Sequence, residues 1–72
     1  MKVYFEFCNR SIKHFEFEVS RVPKKGQLIS FANLEDDYGE YVYNDFKVKE
    51  VNITYNLTTM SETVTITLKE IN

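Results

Sequence analysis

Three side chains near the start of the chain supply the parts of a cysteine nucleophile. Glu6, Cys8 and His14 offer a carboxylate, a thiol and an imidazole, the groups that such a site combines. The predicted first hairpin puts His14 opposite Glu6 on an outer sheet face, which offers neither a water-excluding pocket nor oxyanion donors. We therefore expect Cys8 to be a small buried or edge hydrophobe, His14 to be a cross-strand partner, and the chain not to be an enzyme.

An acidic stretch between residues 33 and 40 supplies oxygen ligands. Its four acids are Glu35, Asp36, Asp37 and Glu40. Calcium takes six to eight oxygen ligands, and dedicated calcium loops place them in an Asp-x-Asp-x-Asp-Gly order that is missing here. We predict a solvated loop, with no metal and no other cofactor.

Three tyrosines beside those acids are better candidates for a binding surface. A tyrosine ring gives a large contact area with one polar tip, and Tyr is enriched at protein interfaces for this reason. Tyr41 and Tyr43 share one face of their strand, and that face either points outward to a partner or closes the end of the fold. The predicted partner-binding residues are Tyr38, Tyr41, Tyr43, Asp36, Asp37 and Glu40.

Strands must position these residues, because apolar and polar side chains alternate along almost the whole chain. A chain of 72 residues forms one domain, here 1–72, and buries only about 60% of its unfolded surface. Its net charge of −2 is spread among interspersed acids and bases, which disfavours attraction to nucleic acid. One cysteine, no signal peptide and no membrane-spanning run favour a cytoplasmic location.

The register of the first hairpin follows from which side chains of its two strands must face the core. A loop at 9–11 places Phe5 opposite Phe15 and Val3 opposite Phe17 on the inner side. The outer side then pairs Lys2 with Glu18 and Glu6 with His14, which are charge-complementary neighbours.

The later strands follow from turn residues and a change of phase. A turn at Pro23 and Gly26 ends the second strand, and a third strand covers 28–32. The segment 41–55 changes phase, which requires a bulge at 49–50. A loop over 56–62 and a last strand over 63–71 complete the chain, with three predicted pairs: Ile53 with Ile66, Val51 with Leu68 and Glu50 with Lys69. Whether the first strand also pairs with the last stays open.

Five short strands with a bent fourth one predict an all-β fold, a single small five-stranded antiparallel barrel that is partly open. The order Val22-Pro23-x-x-Gly26-x-Leu28-Ile29, a loop, Tyr43-x-x-Phe46-x-Val48-x-x-Val51 and a closing Val-x-Ile-x-Leu strand resembles small uncharacterised SH3-like β-barrel proteins of bacteria, phages or mobile elements. The resemblance covers roughly residues 12–70 and implies a fold rather than an activity.

The expected function is protein binding without catalysis, in a phage or mobile-element setting by contact with a host protein. Proline-peptide binding of the SH3 kind needs a groove built around Trp, which the chain lacks, and no Lys-Gly-Phe-Gly-Phe motif of cold-shock barrels is present. Two alternatives stay open. One is a nucleic-acid-binding accessory protein that uses Arg21, Lys24 and Lys25, and the other is a structural homo-oligomer whose free edge strands pair.

Overall fold

Five β-strands build one mixed sheet in the computed structural model, which describes residues 1–9 and 11–71. The spatial order is β2-β1-β5-β4-β3, and the sheet curls into a half-barrel around its apolar face. The strands are β1 Lys2–Phe7, β2 Phe15–Glu18, β3 Leu28–Ile29, β4 Asp45–Asn56 and β5 Ser61–Ile71.

The all-β fold with five strands is confirmed, but the purely antiparallel arrangement is wrong. β1 lies between β2 and β5 and runs parallel to β5, from Tyr4 beside Thr65 to Phe7 beside Leu68. The alternation of side chains defines the faces of a strand and carries no information about the direction of its neighbour. Whether the first strand also pairs with the last was left open by the sequence, and the structure shows that it does, in parallel orientation.

The inner register of the first hairpin is confirmed. Phe5 lies opposite Phe15, Val3 opposite Phe17, and Lys2 opposite Glu18. The connection covers residues 8–14 rather than 9–11, because it turns inward to bury Ile12. Arg10 of the predicted loop lies outside the described residues.

The β4–β5 hairpin contains the predicted bulge, a register shift between Val48 and Glu50, but its predicted pairing is wrong by two residues. Ile53 lies opposite Val64, Val51 opposite Ile66, and Glu50 opposite Thr67 rather than Lys69. A four-residue turn at 57–60 replaces the predicted loop 56–62, so β5 begins at 61. A two-residue slip leaves every side chain on its face, and for this reason the alternation could not detect it.

Phenylalanine rings fill the half-barrel. The predicted third strand, 28–32, stops after Ile29, because Phe31 turns away from the strand and packs 5.3 Å from Phe5 and 5.8 Å from Phe46, centroid to centroid. The connection from β2 to β3 passes from one sheet edge to the other, and its Val19 and Val22 pack against the core. The buried side chains of the core are Val3, Phe5, Phe7, Ile12, Phe46, Val48, Val64, Ile66 and Leu68.

Candidate protein-binding surface

The predicted site residues lie in one loop between β3 and β4, here called the acid–tyrosine loop, residues 35–43. Its two limbs are held together as in a small hairpin, with Glu35 bridged to Tyr41. The Asp36 N–H donates to the Glu40 carbonyl oxygen at 2.8 Å, and the Val42 N–H donates to the Leu34 carbonyl oxygen at 2.7 Å. The main chain of this loop is therefore ordered by its own hydrogen bonds.

The Asp36 side chain organises the tip of the loop. Its Oδ1 accepts hydrogen bonds from the N–H groups of Tyr38, at 2.9 Å, and Glu40, at 3.0 Å. Gly39 follows with φ 77°, a conformation that side chains rarely adopt, and its N–H donates to the Asp36 carbonyl oxygen. A carboxylate that already accepts two backbone donors is a support for the loop more than a free contact group.

The acid–tyrosine loop is also tied to the body of the fold. The Asp37 N–H donates to the carbonyl oxygen of Ser11, in the β1–β2 connection, at 2.7 Å. Leu34 and Val42, on the two limbs, pack against the hydrophobic core. The loop is thereby fixed by its own hydrogen bonds, by Ser11 and by the core, so little conformational entropy of the loop would be lost on binding.

The three predicted tyrosines project from this frame into solvent. Tyr38 is 84% exposed, Tyr41 53% and Tyr43 86%. The rings of Tyr41 and Tyr43 contact each other, with centroids 6.2 Å apart and planes tilted by 54°. The core is filled by the phenylalanine cluster instead, so these rings form an aromatic surface on the loop.

Acidic side chains surround this aromatic surface. Glu35, Asp37 and Glu40 are exposed. Over residues 1–9 and 11–71, they form no ion pair, and no cluster of three or more acid, His or Cys side chains suits a metal ion. The loop thus presents unneutralised negative charge next to tyrosine rings.

The possible nucleophile residues do not share a site. Cys8 is exposed, and its N–H donates to the Leu68 carbonyl oxygen at 2.9 Å. His14 precedes β2 rather than pairing with Glu6, and its ring meets Tyr4 edge-on at 6.1 Å. The open depression next to His14 is lined by neither Cys8 nor Glu6; its lining is Tyr4, Ile12, Lys13, His14 and Asp37.

The sequence interpretation missed a second exposed surface, at the tip of the β4–β5 hairpin. Ile53 lies on the inner face, opposite Val64, but is 50% exposed, while Tyr55, Leu57 and Met60 are 65%, 80% and 82% exposed. The signal was present in the sequence: residues 51–61 carry no charge in a chain that is 28% charged. An uncharged run of this length would have marked an unusual surface.

Within the part of the chain that the structure describes, no helix has the length and apolar character needed to cross a bilayer. No family model matches this chain, and no curated protein or solved structure is significantly similar to it.

Proposed function

We propose that this chain is a non-enzymatic protein-binding module, a small barrel of SH3-like type that contacts its partner through the acid–tyrosine loop. The observation that supports this most is the loop itself, which holds three exposed tyrosines on a frame fixed by Asp36 and by the bond to Ser11. Exposed aromatic rings on an ordered support bind at low entropic cost, as they do in other recognition surfaces.

The partner surface should be basic and partly apolar. Glu35, Asp37 and Glu40 favour Lys or Arg on the partner, and a guanidinium can also stack on the Tyr41 or Tyr43 ring. Such a surface combines steering by charge with contact area from the rings. In the setting that the resemblance suggests, the partner is a cytoplasmic host protein and this chain is a phage or mobile-element accessory protein.

Capture of the tagged protein's partners from a bacterial lysate, with and without nuclease, tests this function. We expect a stoichiometric protein partner that survives nuclease and is lost from the Tyr41→Ala plus Tyr43→Ala variant, with its circular dichroism spectrum unchanged. Leu28→Ala is the matched control, because Leu28 is 64% exposed and lies outside the loop. It should retain the partner.

Salt and nuclease separate this proposal from nucleic-acid binding. Loop binding should weaken moderately with salt, because exposed charge pairs are screened. Partners that vanish on nuclease treatment, and that depend on Arg21, Lys24 and Lys25 instead of the tyrosines, would move the function to nucleic acid. Partner retention in the double tyrosine variant would remove the loop from the function.

A further inference from the structure

The outer edge of β4 is free over most of its length. β3 pairs with β4 only at Phe46 and Lys47, and the segment before β3 adds two backbone bonds to Val48. Among residues 1–9 and 11–71, no strand or backbone hydrogen bond occupies this edge from 50 to 56. Backbone groups of alternate residues point to opposite edges of a strand, so over this stretch Val51, Ile53 and Tyr55 present unpaired N–H and C=O groups, which are a template for another strand.

The other two edges of the sheet are protected in ways that this one is not. The β2 edge is four residues long and carries two exposed acids, Glu16 and Glu18, while β3 has two residues. Shortness and charge are the usual means by which proteins block edge pairing. The β4 edge has neither, since residues 51–56 are uncharged and contain no proline or glycine.

Large apolar side chains accompany this edge. Ile53, Tyr55, Leu57 and Met60, here called the tip patch, are each exposed by half or more. Together they present on the order of several hundred Å² of surface, a size at which apolar patches mark interaction sites. Met60 also adopts φ 55°, a turn conformation that Gly or Asn takes at lower cost. Because its side chain is exposed, Met60 does not contribute to the packing of the core.

We propose that the β4 edge pairs with the same edge of a second copy of this chain, antiparallel about a two-fold axis at Ile53. In this register Ile53 lies opposite Ile53 of the second copy, and Val51 opposite its Tyr55, all on the inner face. Asn52 lies opposite Thr54 of the second copy on the outer face. Two curled sheets thus join into one continuous sheet of ten strands.

Charge favours a second copy in this register. No like charges lie opposite each other over 50–56, since Glu50 meets Asn56 of the second copy and the residues between are neutral. In this register Leu57 of the second copy comes next to Lys49, and the turn that carries Lys24 and Lys25 is bonded to the adjacent Val48 through Gly26. An open depression beside that turn is lined by Val22, Pro23, Lys24, Lys25, Glu50 and Val51.

The interface formed in this way is of modest size. A stable complex buries about 800 Å² per partner, and the tip patch alone supplies less than that. Main-chain pairing over seven residues, about 24 Å of strand, supplies the remainder. We therefore expect a dimer with a dissociation constant in the micromolar range, independent of the function proposed for the acid–tyrosine loop.

Sedimentation equilibrium of the full chain, from about 5 μM to about 500 μM, measures this dimer directly. The register is tested with two double variants at Asn52 and Thr54, which are exposed on the outer face, so both variants should fold. Asn52→Glu plus Thr54→Glu places like charges opposite each other twice, and we expect dimerisation at least about tenfold weaker than in the unmodified chain.

The matched control is Asn52→Lys plus Thr54→Glu, which places opposite charges at the same two positions and should keep or strengthen the dimer. Mixing the Asn52→Glu plus Thr54→Glu chain with an Asn52→Lys plus Thr54→Lys chain should yield a heterodimer. A chain that stays monomeric at the highest concentration, as it would if this edge takes only an unrelated peptide or a membrane, overturns the proposal. So does a dimer of equal strength in both double variants.

Discussion

Some side chains of the acid–tyrosine loop stabilise its main chain, and others are exposed to solvent, where a partner could contact them. From the sequence, Asp36, Asp37 and Glu40 are all predicted to contact a partner, because residue type alone does not distinguish neighbouring acids. The structure separates them, since Asp36 alone accepts the Tyr38 and Glu40 N–H groups. Residue type predicted an acidic loop, but which acid stabilises the main chain and which is free for contact depends on the backbone geometry.

Replacing Asp36 should therefore loosen the loop. We expect Asp36→Ala to lower the free energy of unfolding by about 1 kcal/mol, because two backbone donors lose their acceptor. Asp36→Asn keeps an oxygen at the same place and should cost less than half as much. Urea unfolding followed by tyrosine fluorescence measures both, and equal losses in the two variants would contradict the acceptor role.

Glu18, at the end of β2, gives the chain a small acid sensitivity. Its Oε1 accepts a hydrogen bond from the Met1 amino group at 2.6 Å. That bond and the positive charge hold the pKa of Glu18 below its ordinary value of 4.5. A lowered folded-state pKa stabilises the protein above pH 4.5, and this stabilisation is lost as the pH falls through the folded-state pKa.

The effect should be small and salt-sensitive, because the Glu18 side chain is exposed. We expect the unmodified chain to lose slightly more stability than Glu18→Gln between pH 5 and pH 3, and the difference to shrink at about 0.5 M salt. Thermal unfolding of both proteins across this pH range is the measurement. Parallel pH profiles at low salt would show that the pair contributes nothing.

Among the elements, β4 shows best what alternation predicts. The change of phase between Val48 and Val51 located the bulge, because only an extra residue keeps both on the inner face. The predicted pairing of β4 with β5 was wrong by two residues even though it placed Glu50 opposite Lys69, a charge-complementary pair, whereas the structure places Lys69 opposite Lys47. On exposed faces such pairs are worth only a few tenths of a kcal/mol and do not decide a register.

Deletion of Lys49 tests the bulge. Without the extra residue, either the far half of β4 turns Val51, Ile53 and Tyr55 to the outer face or the pairing with β5 must shift. We expect a loss of at least about 2 kcal/mol in urea unfolding, because Val51 leaves the core in one case and the ladder breaks in the other. Lys49→Ala keeps the bulge and should be nearly neutral. A stable deletion variant with unchanged Val51 contacts would contradict this account.

For the molecule as a whole, stability should rest on a few rings. Phe46 is completely buried and touches the rings of Phe7 and Phe31 at 5.1 and 5.8 Å between centroids, whereas Phe17 is 54% exposed. Phe46→Ala should cost about 3–5 kcal/mol, nearly the whole stability expected of so small a domain. Phe17→Ala should cost about 1 kcal/mol. Chemical unfolding of the two variants checks this contrast, and similar losses would mean that the core is not centred on Phe46.

Composition and alternation predicted the fold class and most inner-facing residues, but not the arrangement of the sheet. The position of β1 beside β5 joins residues more than sixty apart in the chain, as the hydrogen bond from the Asn9 amide to Glu70 also does. Local patterns do not encode such a contact. β5 takes one edge of β4, and the two-residue β3 covers only part of the other edge, which leaves the rest of that edge free.

The parallel β1–β5 pair also determines how the chain responds to mechanical force. Tension between Met1 and Ile71 pulls these neighbouring strands past each other along their length, so the bonds from Tyr4 beside Thr65 to Phe7 beside Leu68 are loaded together in shear. In an antiparallel pair at the same place, both pulled ends would lie at one end of the ladder, and its hydrogen bonds would break one after another. We therefore expect this chain to resist unfolding more strongly, when it is pulled from these two residues, than a chain with an antiparallel pair at this place would.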